Sequence, residues 1–191
     1  MIRTKQKQQT AYEALREAHG YTTPMRAPRI TKVVLSTGVG KKRDPKVIAL
    51  IEDRLGRIAG QKVAPRRARM SIASFKVREG DTVGLQATLR GPRMFDFLDK
   101  LIHIALPRTR DFRGLAPTAV DDMGNLTIGI REHTIFPETS DEDIKDVFGF
   151  AVTVVTTAKN KEEADAFFRH LGIPLRPVSA DAKRVDRKKK R

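Results

Sequence analysis

The 191-residue sequence contains no cysteine and no tryptophan. The absence of cysteine excludes a disulfide framework, a zinc site built on thiolates and a cysteine nucleophile. Aromatic residues make up only 6 % of the chain, so a core built from its 39 % hydrophobic residues is expected to be mainly aliphatic. A chain of this length is expected to form about one domain with a substantial core.

Long apolar runs are also missing. No stretch of 18 apolar residues occurs, so no helix is expected to cross a membrane. The N-terminal stretch MIRTKQKQQTAYEAL is basic but lacks the apolar segment of a secretory signal. A mitochondrial presequence is disfavoured because Arg3 is the only arginine before Arg16.

The net charge of +15 favours a polyanionic partner such as RNA, DNA or an anionic membrane surface. The charge is unevenly distributed. Residues 61–93 hold eight Lys or Arg against two acids, whereas residues 121–146 hold eight acids against two bases. The last nine residues carry seven bases against one acid. A basic and an acidic surface on one molecule suggest two kinds of partner.

Apolar periodicity and end signals predict four helices. The first covers residues 5–19 and ends at Gly20. The second begins at the Asp44 cap and ends at Gly60. The third begins at Gly91-Pro92 and ends at Pro107. The fourth begins with a capping box formed by Asn160 and Glu163.

Four strands are predicted. β-branched and aliphatic composition indicates one at residues 30–37, and period-two alternation indicates the others at 83–89, 126–130 and 150–156. Such strands favour an α+β fold in which helices pack on one face of an antiparallel sheet and the other face is free to meet a partner. We expect one domain over residues 1–177, with the sheet-and-helix core at 29–177. Residues 178–191 show no periodicity and are predicted to be a disordered basic tail.

Enzymatic and metal sites are weakly supported. The segment STGVGKK at 36–42 resembles a phosphate-binding loop, but Leu35 and Lys42 occupy positions where that motif needs glycine and a hydroxyl residue. A turn that holds an RNA phosphate remains an alternative. The four histidines lack metal-ligand spacing, and the acidic cluster PETSDEDIKD lacks the pattern of a calcium loop.

The segment RRARMSIASFKVREG, residues 66–80, carries the clearest binding signal. Clustered arginines donate bidentately to phosphate and stay protonated. Two interpretations of Phe75 remain open at this stage: it stacks or packs at an RNA groove, or it folds back on the core beneath a solvated loop.

Several motifs give the chain a closer resemblance. ARMSIASFKVREG, TLRGPRMFDFLDKLI and PRTRDFRGL occur in this order, together with LSTGVG at 35–40, GN at 124–125 and REHTIFPE at 131–138. In these motifs, and over about residues 11–177, the sequence resembles the L5 family of bacterial large-subunit ribosomal proteins. The resemblance implies a cytoplasmic, ribosomal, non-enzymatic protein without cofactor, and a long protruding loop between the second and third strands.

The partners that the resemblance implies are mostly RNA. They are 5S rRNA in the central protuberance, large-subunit rRNA, P-site tRNA, small-subunit protein thirteen across the subunit interface, and neighbouring 5S-associated proteins. The rRNA contacts map onto Lys32, Ser36, Thr37, Arg66, Arg67 and Arg90. The tRNA contacts map onto the loop at about 69–82, with Arg69, Ser71, Ser74, Phe75, Lys76 and Arg78.

The intersubunit bridge maps onto about 110–124 and 137–146. Its residues are Arg110, Arg113, Asp121, Asp122, Glu138, Asp141 and Glu142. These segments overlap the acidic region found from the charge distribution, and a basic partner would complement it. An alternative is a regulatory RNA-binding protein that shares the fold but works off the ribosome.

Overall fold

A computed structural model describes residues 3–40, 44–139 and 147–177. Its strands are β1 Ile30–Gly38, β2 Ala64–Arg67, β3 Thr82–Leu89, β4 Leu126–Ile130 and β5 Phe150–Thr156. Its α-helices are α1 Thr4–His19, α2 Pro45–Ala59, α3 Pro92–Lys100, α4 Leu106–Arg108 and α5 Lys161–Leu171. Short 3-10 turns connect several of these elements.

The five strands form one antiparallel sheet in the order β2-β3-β1-β5-β4. β1 lies in the centre and pairs with β3 on one side and β5 on the other. β3 begins about fifty residues after β1, and β5 begins about a hundred and twenty residues after it. The central strand is therefore joined to its two neighbours by long connections and not by short hairpins. This arrangement confirms the predicted α+β fold with an antiparallel sheet.

One face of the sheet is buried under the helices. The strands alternate, so Val33, Leu35 and Leu85 are almost fully buried while their neighbours stay half-exposed on the opposite face. Phe167 and Phe168 of α5 join the same hydrophobic cluster. We call the half-exposed opposite side the open face.

Helix α2 follows its sequence signals. The Asp44 side chain accepts a hydrogen bond from the Lys46 backbone N–H at 3.0 Å, and Pro45 occupies the first turn. Gly60 ends the helix in the left-handed conformation, with its N–H donating to the Gly56 carbonyl. The predicted bounds of this helix are confirmed.

Helix α1 has few buried apolar residues and is held largely by polar contacts. Asp99 accepts hydrogen bonds from both the backbone N–H and the hydroxyl of Thr4. Lys7 Nζ donates to the Leu171 carbonyl at 2.9 Å, and His170 Nε2 lies 2.8 Å from the Lys7 carbonyl. These contacts attach α1 to α3 and α5.

The predicted end of the third helix and the predicted capping box of the last helix are wrong in detail, although the last helix does begin after Asn160. Pro107 lies inside the third helix, which continues to Arg108 after a π-helical turn at Leu101–Ala105. Proline has no N–H to donate, and the wider turn accommodates it. At α5, Asn160 makes no side-chain capping bond. Instead Glu163 accepts from the Lys159 backbone N–H at 2.8 Å.

Within the described residues, no helix is long and apolar enough to span a bilayer.

Candidate nucleic-acid interface

The centre of the open face is formed by β1. Lys32 and Ser36 lie on it, both half-buried. Thr37 does not, because adjacent strand residues alternate between faces. It is 6 % exposed, and its hydroxyl donates to the Gly149 carbonyl at 2.8 Å. Of the two neighbouring hydroxyl residues predicted to contact RNA, only Ser36 lies on the exposed side.

Paired residues on neighbouring strands form rows across the open face, perpendicular to the strands. Ser36 lies opposite Gln86 on β3 and Ala151 on β5. The next row joins Thr88, Val34, Thr153 and Thr127, and the two threonine hydroxyls on β5 and β4 lie 3.3 Å apart. The result is a shallow surface that presents hydroxyl groups.

The strands contain no aspartate or glutamate, and their only bases are Lys32, Arg66 and Arg67. A phosphate backbone could therefore approach the open face without meeting a carboxylate on any of the five described strands. Hydroxyls and backbone groups can meet ribose hydroxyls, which is the way that double-stranded RNA is commonly recognised.

Two consecutive arginines of the edge strand flank a β-bulge in the pairing of β2 with β3. Arg66 lies opposite Gly84, but Arg67 lies opposite Thr82, so the register slips by one residue between them. Gly84 has the same strand parity as Gln86, so Arg66 lies on the open face, and Arg67 is exposed next to it at the edge of the sheet. Arg66 Nε also donates to Gln86 Oε1 on that face.

Close packing of β1 against β3 accompanies the bulge. A Cβ on Gly84 would lie 2.8 Å from the Thr37 carbonyl oxygen, nearer than real Cβ contacts. Glycine is therefore required at this position for the two strands to approach. Arg90, directly after the other end of β3, is also exposed. We call Arg66, Arg67 and Arg90 the arginine rim.

The predicted long loop forms an extension of the β2–β3 hairpin rather than an irregular segment. The Ala68 N–H donates to the Asp81 carbonyl at 2.8 Å at its base. Nearer the tip, Ile72 and Val77 exchange backbone hydrogen bonds of 2.9 and 3.2 Å. The Ser71 hydroxyl accepts from the Glu79 N–H at 2.9 Å. Backbone pairing therefore shapes the loop from base to tip.

The predicted tRNA-contacting side chains are exposed on this extension. They are Arg69, Ser71, Ser74, Phe75, Lys76 and Arg78. Phe75 is 70 % exposed, so the interpretation in which it folds back on the core is wrong.

The first predicted bridge segment is partly committed to internal contacts. Arg110, Arg113 and Asp122 are exposed. Asp121 instead closes a turn, since its two carboxylate oxygens accept from the backbone N–H and side-chain amide of Asn125 at 2.7 and 3.1 Å. The backbone hydrogen bond from Asn125 is the main cause that lowers the pKa of Asp121 below its usual value.

This turn also explains the Gly-Asn pair. The Gly124 carbonyl accepts from the Thr156 hydroxyl at 2.6 Å, and Asn125 Oδ1 accepts from the Thr156 N–H at 3.3 Å. Gly124 has a φ of +78°, and a Cβ there would lie 2.9 Å from that of Ala158. The pair therefore fastens the turn to the end of β5. The motif is visible in the sequence, but its role is not, because it depends on contacts with a residue about thirty positions away.

The second predicted bridge segment is described only in part. Glu138 Oε1 is 2.6 Å from Lys100 Nζ, which also donates to the Ile58 carbonyl at 3.0 Å. Asp141 and Glu142 lie outside the described residues. Lys100 was not predicted as important, because a lysine in a helix has no distinctive sequence signal.

No metal centre accompanies these surfaces within the described parts of the chain, where no group of three His, Asp or Glu residues is placed to hold an ion. The fold, together with an open face whose strands carry no acidic residue, is typical of an α+β protein that binds nucleic acid.

Comparison with known proteins identifies the family. Residues 23–78 match the model described as Ribosomal protein L5, and residues 82–175 match the model of the C-terminus of the same ribosomal family. A relative named large ribosomal subunit protein uL5 from Rubrobacter xylanophilus is 48 % identical over 93 % of this chain and 99 % of its own. Relatives of the same name from Anaeromyxobacter sp. strain K (48 % identity, 82 % of this chain, 88 % of theirs) and Thermoanaerobacter sp. strain X514 (47 %, 85 % and 91 %) agree.

The chain belongs to the ribosomal protein L5 family. Membership confirms the predictions of a ribosomal protein of the large subunit, of a non-enzymatic role and of a cytoplasmic location with the ribosome. The absence from STGVGKK of the glycine and hydroxyl residue that a phosphate-binding loop needs agrees with this non-enzymatic role.

Proposed function

We propose that this chain binds 5S rRNA through the open face and its arginine rim, and that it helps to attach that RNA to large-subunit rRNA in the central protuberance. The proposal is carried by one observation: five described strands without an acidic side chain present small and hydroxyl residues on one face, with Arg66 and Arg67 exposed on the edge strand.

The chemistry of the face favours a duplex over single-stranded bases. No aromatic side chain lies on the open face of the described strands, so bases cannot stack there as they do on sheets with exposed rings. Hydroxyls of Ser36, Thr88 and Thr153 suit ribose hydroxyls in a wide minor groove, while Lys32 and the rim arginines suit its phosphates.

We further propose that the hairpin extension contacts P-site tRNA and that the segments at 110–124 and 137–146 form an intersubunit bridge with small-subunit protein thirteen. Exposed arginine and lysine side chains on the extension favour a contact with tRNA. Asp122 and the acidic composition of residues 121–146 favour a basic partner at the intersubunit bridge. Residues 3–177 would act as one unit beside neighbouring 5S-associated proteins.

The salt dependence of 5S rRNA binding tests the main proposal. Replacing Arg66 and Arg67 together with glutamine should weaken binding and flatten the slope of log affinity against log salt by about 1 to 2, because fewer counterions are released. The matched control replaces Lys5 and Arg93, two exposed basic side chains on helices α1 and α3, with glutamine. It should leave the slope of log affinity against log salt unchanged. Equal slopes for the two pairs would show that charge alone, and not the rim, drives binding.

The division between the two RNA surfaces has its own test. Shortening the loop from Ser71 to Arg78 should leave the affinity for 5S rRNA unchanged and weaken the retention of tRNA in the P site. A loss of 5S binding in the shortened protein would refute the separate roles of the open face and the hairpin extension.

A further inference from the structure

Phe75 is the one exposed ring among the aromatic residues, all of which lie in the described parts of the chain. The sequence has nine Phe and two Tyr, and every one of them except Phe75 is buried or half-buried. Phe75 is 70 % exposed at the apex of the hairpin extension. Leaving a phenyl group in water forfeits about 1.5 to 3 kcal/mol of burial free energy, so its position requires an explanation.

The apex is held in shape before any partner arrives. Phe75 ends a 3-10 turn that begins at Ala73, and Lys76 follows in the left-handed conformation with a φ of +51°. The Lys76 N–H donates to the Ala73 carbonyl at 3.0 Å, above the Ile72–Val77 pair. A ring on such a turn can bind with little further loss of conformational entropy.

The surroundings of the ring combine apolar area with positive charge. Met70 and Ile72 are 69 % and 41 % exposed on the same extension. Arg69, Lys76 and Arg78 are exposed beside them. Cations around an apolar apex suit a nucleic acid, which offers phosphates next to flat base faces. They do not suit an apolar protein surface, where several charges would be desolvated without partners.

We infer that Phe75 recognises RNA by stacking on a nucleobase that has one unstacked face, while Arg69 and Lys76 contact neighbouring phosphates. The inference rests on the proposed contact between the hairpin extension and P-site tRNA, and it names the chemistry of that contact. Phe75 is thus a binding residue that contacts a base of the tRNA, whereas Arg69 and Lys76 contact its phosphates.

A substitution series at position 75 tests stacking in assembled ribosomes. We would measure the dissociation constant of deacylated tRNA from the P site with Phe75→Tyr, Phe75→Leu and Phe75→Ala. Tyrosine keeps the ring and should bind within about twofold of the parent. Leucine keeps an apolar side chain without a π face, so it should weaken binding as strongly as alanine does, by about 5- to 100-fold.

A fluorescence measurement gives a second readout. Because the sequence has no tryptophan, Phe75→Trp introduces a single indole into the chain. Stacking on a base should quench its emission when the full-length protein is titrated with tRNA. Met25→Trp is the matched control, since Met25 is 92 % exposed on a separate turn near two arginines. Equal quenching at the two positions would overturn the inference.

The charged neighbours separate failure of the inference from failure of the proposed function. If Arg69→Gln with Lys76→Gln weakens tRNA binding but the position 75 variants do not, the extension contacts tRNA without stacking. If Phe75→Leu binds like the parent and Phe75→Ala does not, the contact is apolar packing and stacking is refuted. If shortening the whole loop has no effect either, the proposed tRNA contact itself is wrong.

Discussion

Replacing Lys100 by methionine should destabilise the fold without touching the open face. Lys100 Nζ donates to the Ile58 carbonyl at 3.0 Å, pairs with Glu138 at 2.6 Å, and lies 5.9 and 5.8 Å from the ring centroids of Phe97 and Phe136. It therefore joins α2, α3 and the turn at Pro137–Thr139 at one point.

The expected cost follows from these contacts. The charged hydrogen bond to the Ile58 carbonyl contributes about 1.5 to 3 kcal/mol to the free energy of unfolding. The contacts of the ammonium group with the two rings add about 0.5 to 1 kcal/mol. The ion pair adds less than about 1 kcal/mol, because the Lys100 and Glu138 side chains are 20 % and 34 % exposed and solvent screens them. Methionine keeps the apolar stem packed, so we expect a loss of about 2 kcal/mol.

Urea unfolding followed by circular dichroism would measure this loss, and the melting temperature should fall by about 4 to 8 °C. Lys62→Met, at an exposed position, is the matched control and should change the stability by less than about 0.5 kcal/mol. A double-mutant cycle with Glu138→Gln should give a coupling below about 1 kcal/mol. If Lys100→Met is as stable as the control, Lys100 does not hold these elements together.

Two other substitutions test local geometry. Gly84→Ala should lower the free energy of unfolding by about 1 to 3 kcal/mol, because the added Cβ would meet the Thr37 carbonyl oxygen. The control is Gly129→Ala, also in a strand, where the added Cβ has no atom within 4 Å and the protein should unfold at nearly the parent urea concentration. Equal urea midpoints for the two variants would refute the close approach of β1 and β3 at Gly84. Asp121→Asn should lower stability at neutral pH. Since the folded pKa of Asp121 is lowered, its contribution is present above the unfolded value of about 4 and is lost as the pH falls through the folded value. The difference between parent and variant should therefore vanish in acid, and a difference that stays constant with pH would contradict the assignment.

Helices and strands were predicted correctly where the residues at their ends and the spacing of their apolar residues indicate the same element. Asp44, Pro45 and Gly60 mark both ends of α2, and the alternation of Leu85, Ala87 and Leu89 marks β3. In each case a single stretch of chain contains both the conformational signal and the apolar pattern that the core requires. Such elements need no knowledge of their neighbours.

Features that depend on distant parts of the chain could not be predicted in this way. β2 is exposed at all four residues and has no apolar pattern, so only its pairing with β3 defines it. The bulge between the pairing positions of Arg66 and Arg67 is a property of that pairing. Glu163, which looked like half of a capping box, also accepts a hydrogen bond from the Tyr21 hydroxyl, a contact over 142 residues.

For the candidate site, the sequence indicates which types of residue to consider, but it does not readily show on which face of the sheet each side chain lies. The clustered arginines and the loop at 69–82 could be proposed as a binding surface from residue type alone, and the structure shows Arg66, Arg67 and Arg69 exposed. The placement of Thr37 required strand parity, and the same alternation that buries Val33 and Leu35 could have placed Thr37 with them. The exposure of Phe75 depends on the turn at the hairpin tip, which the sequence does not specify.

The most direct test of the central claim places one negative charge on the open face. Thr153 is half-buried there, between Val34 and Thr127. Thr153→Glu and Thr153→Gln have nearly the same shape and differ in a charge. If the open face binds RNA, the affinity for 5S rRNA should be at least about tenfold lower for Thr153→Glu than for Thr153→Gln, and the gap should narrow as salt is added. Equal affinities of the two variants, both folded, would contradict the claim that the open face is the surface that binds 5S rRNA.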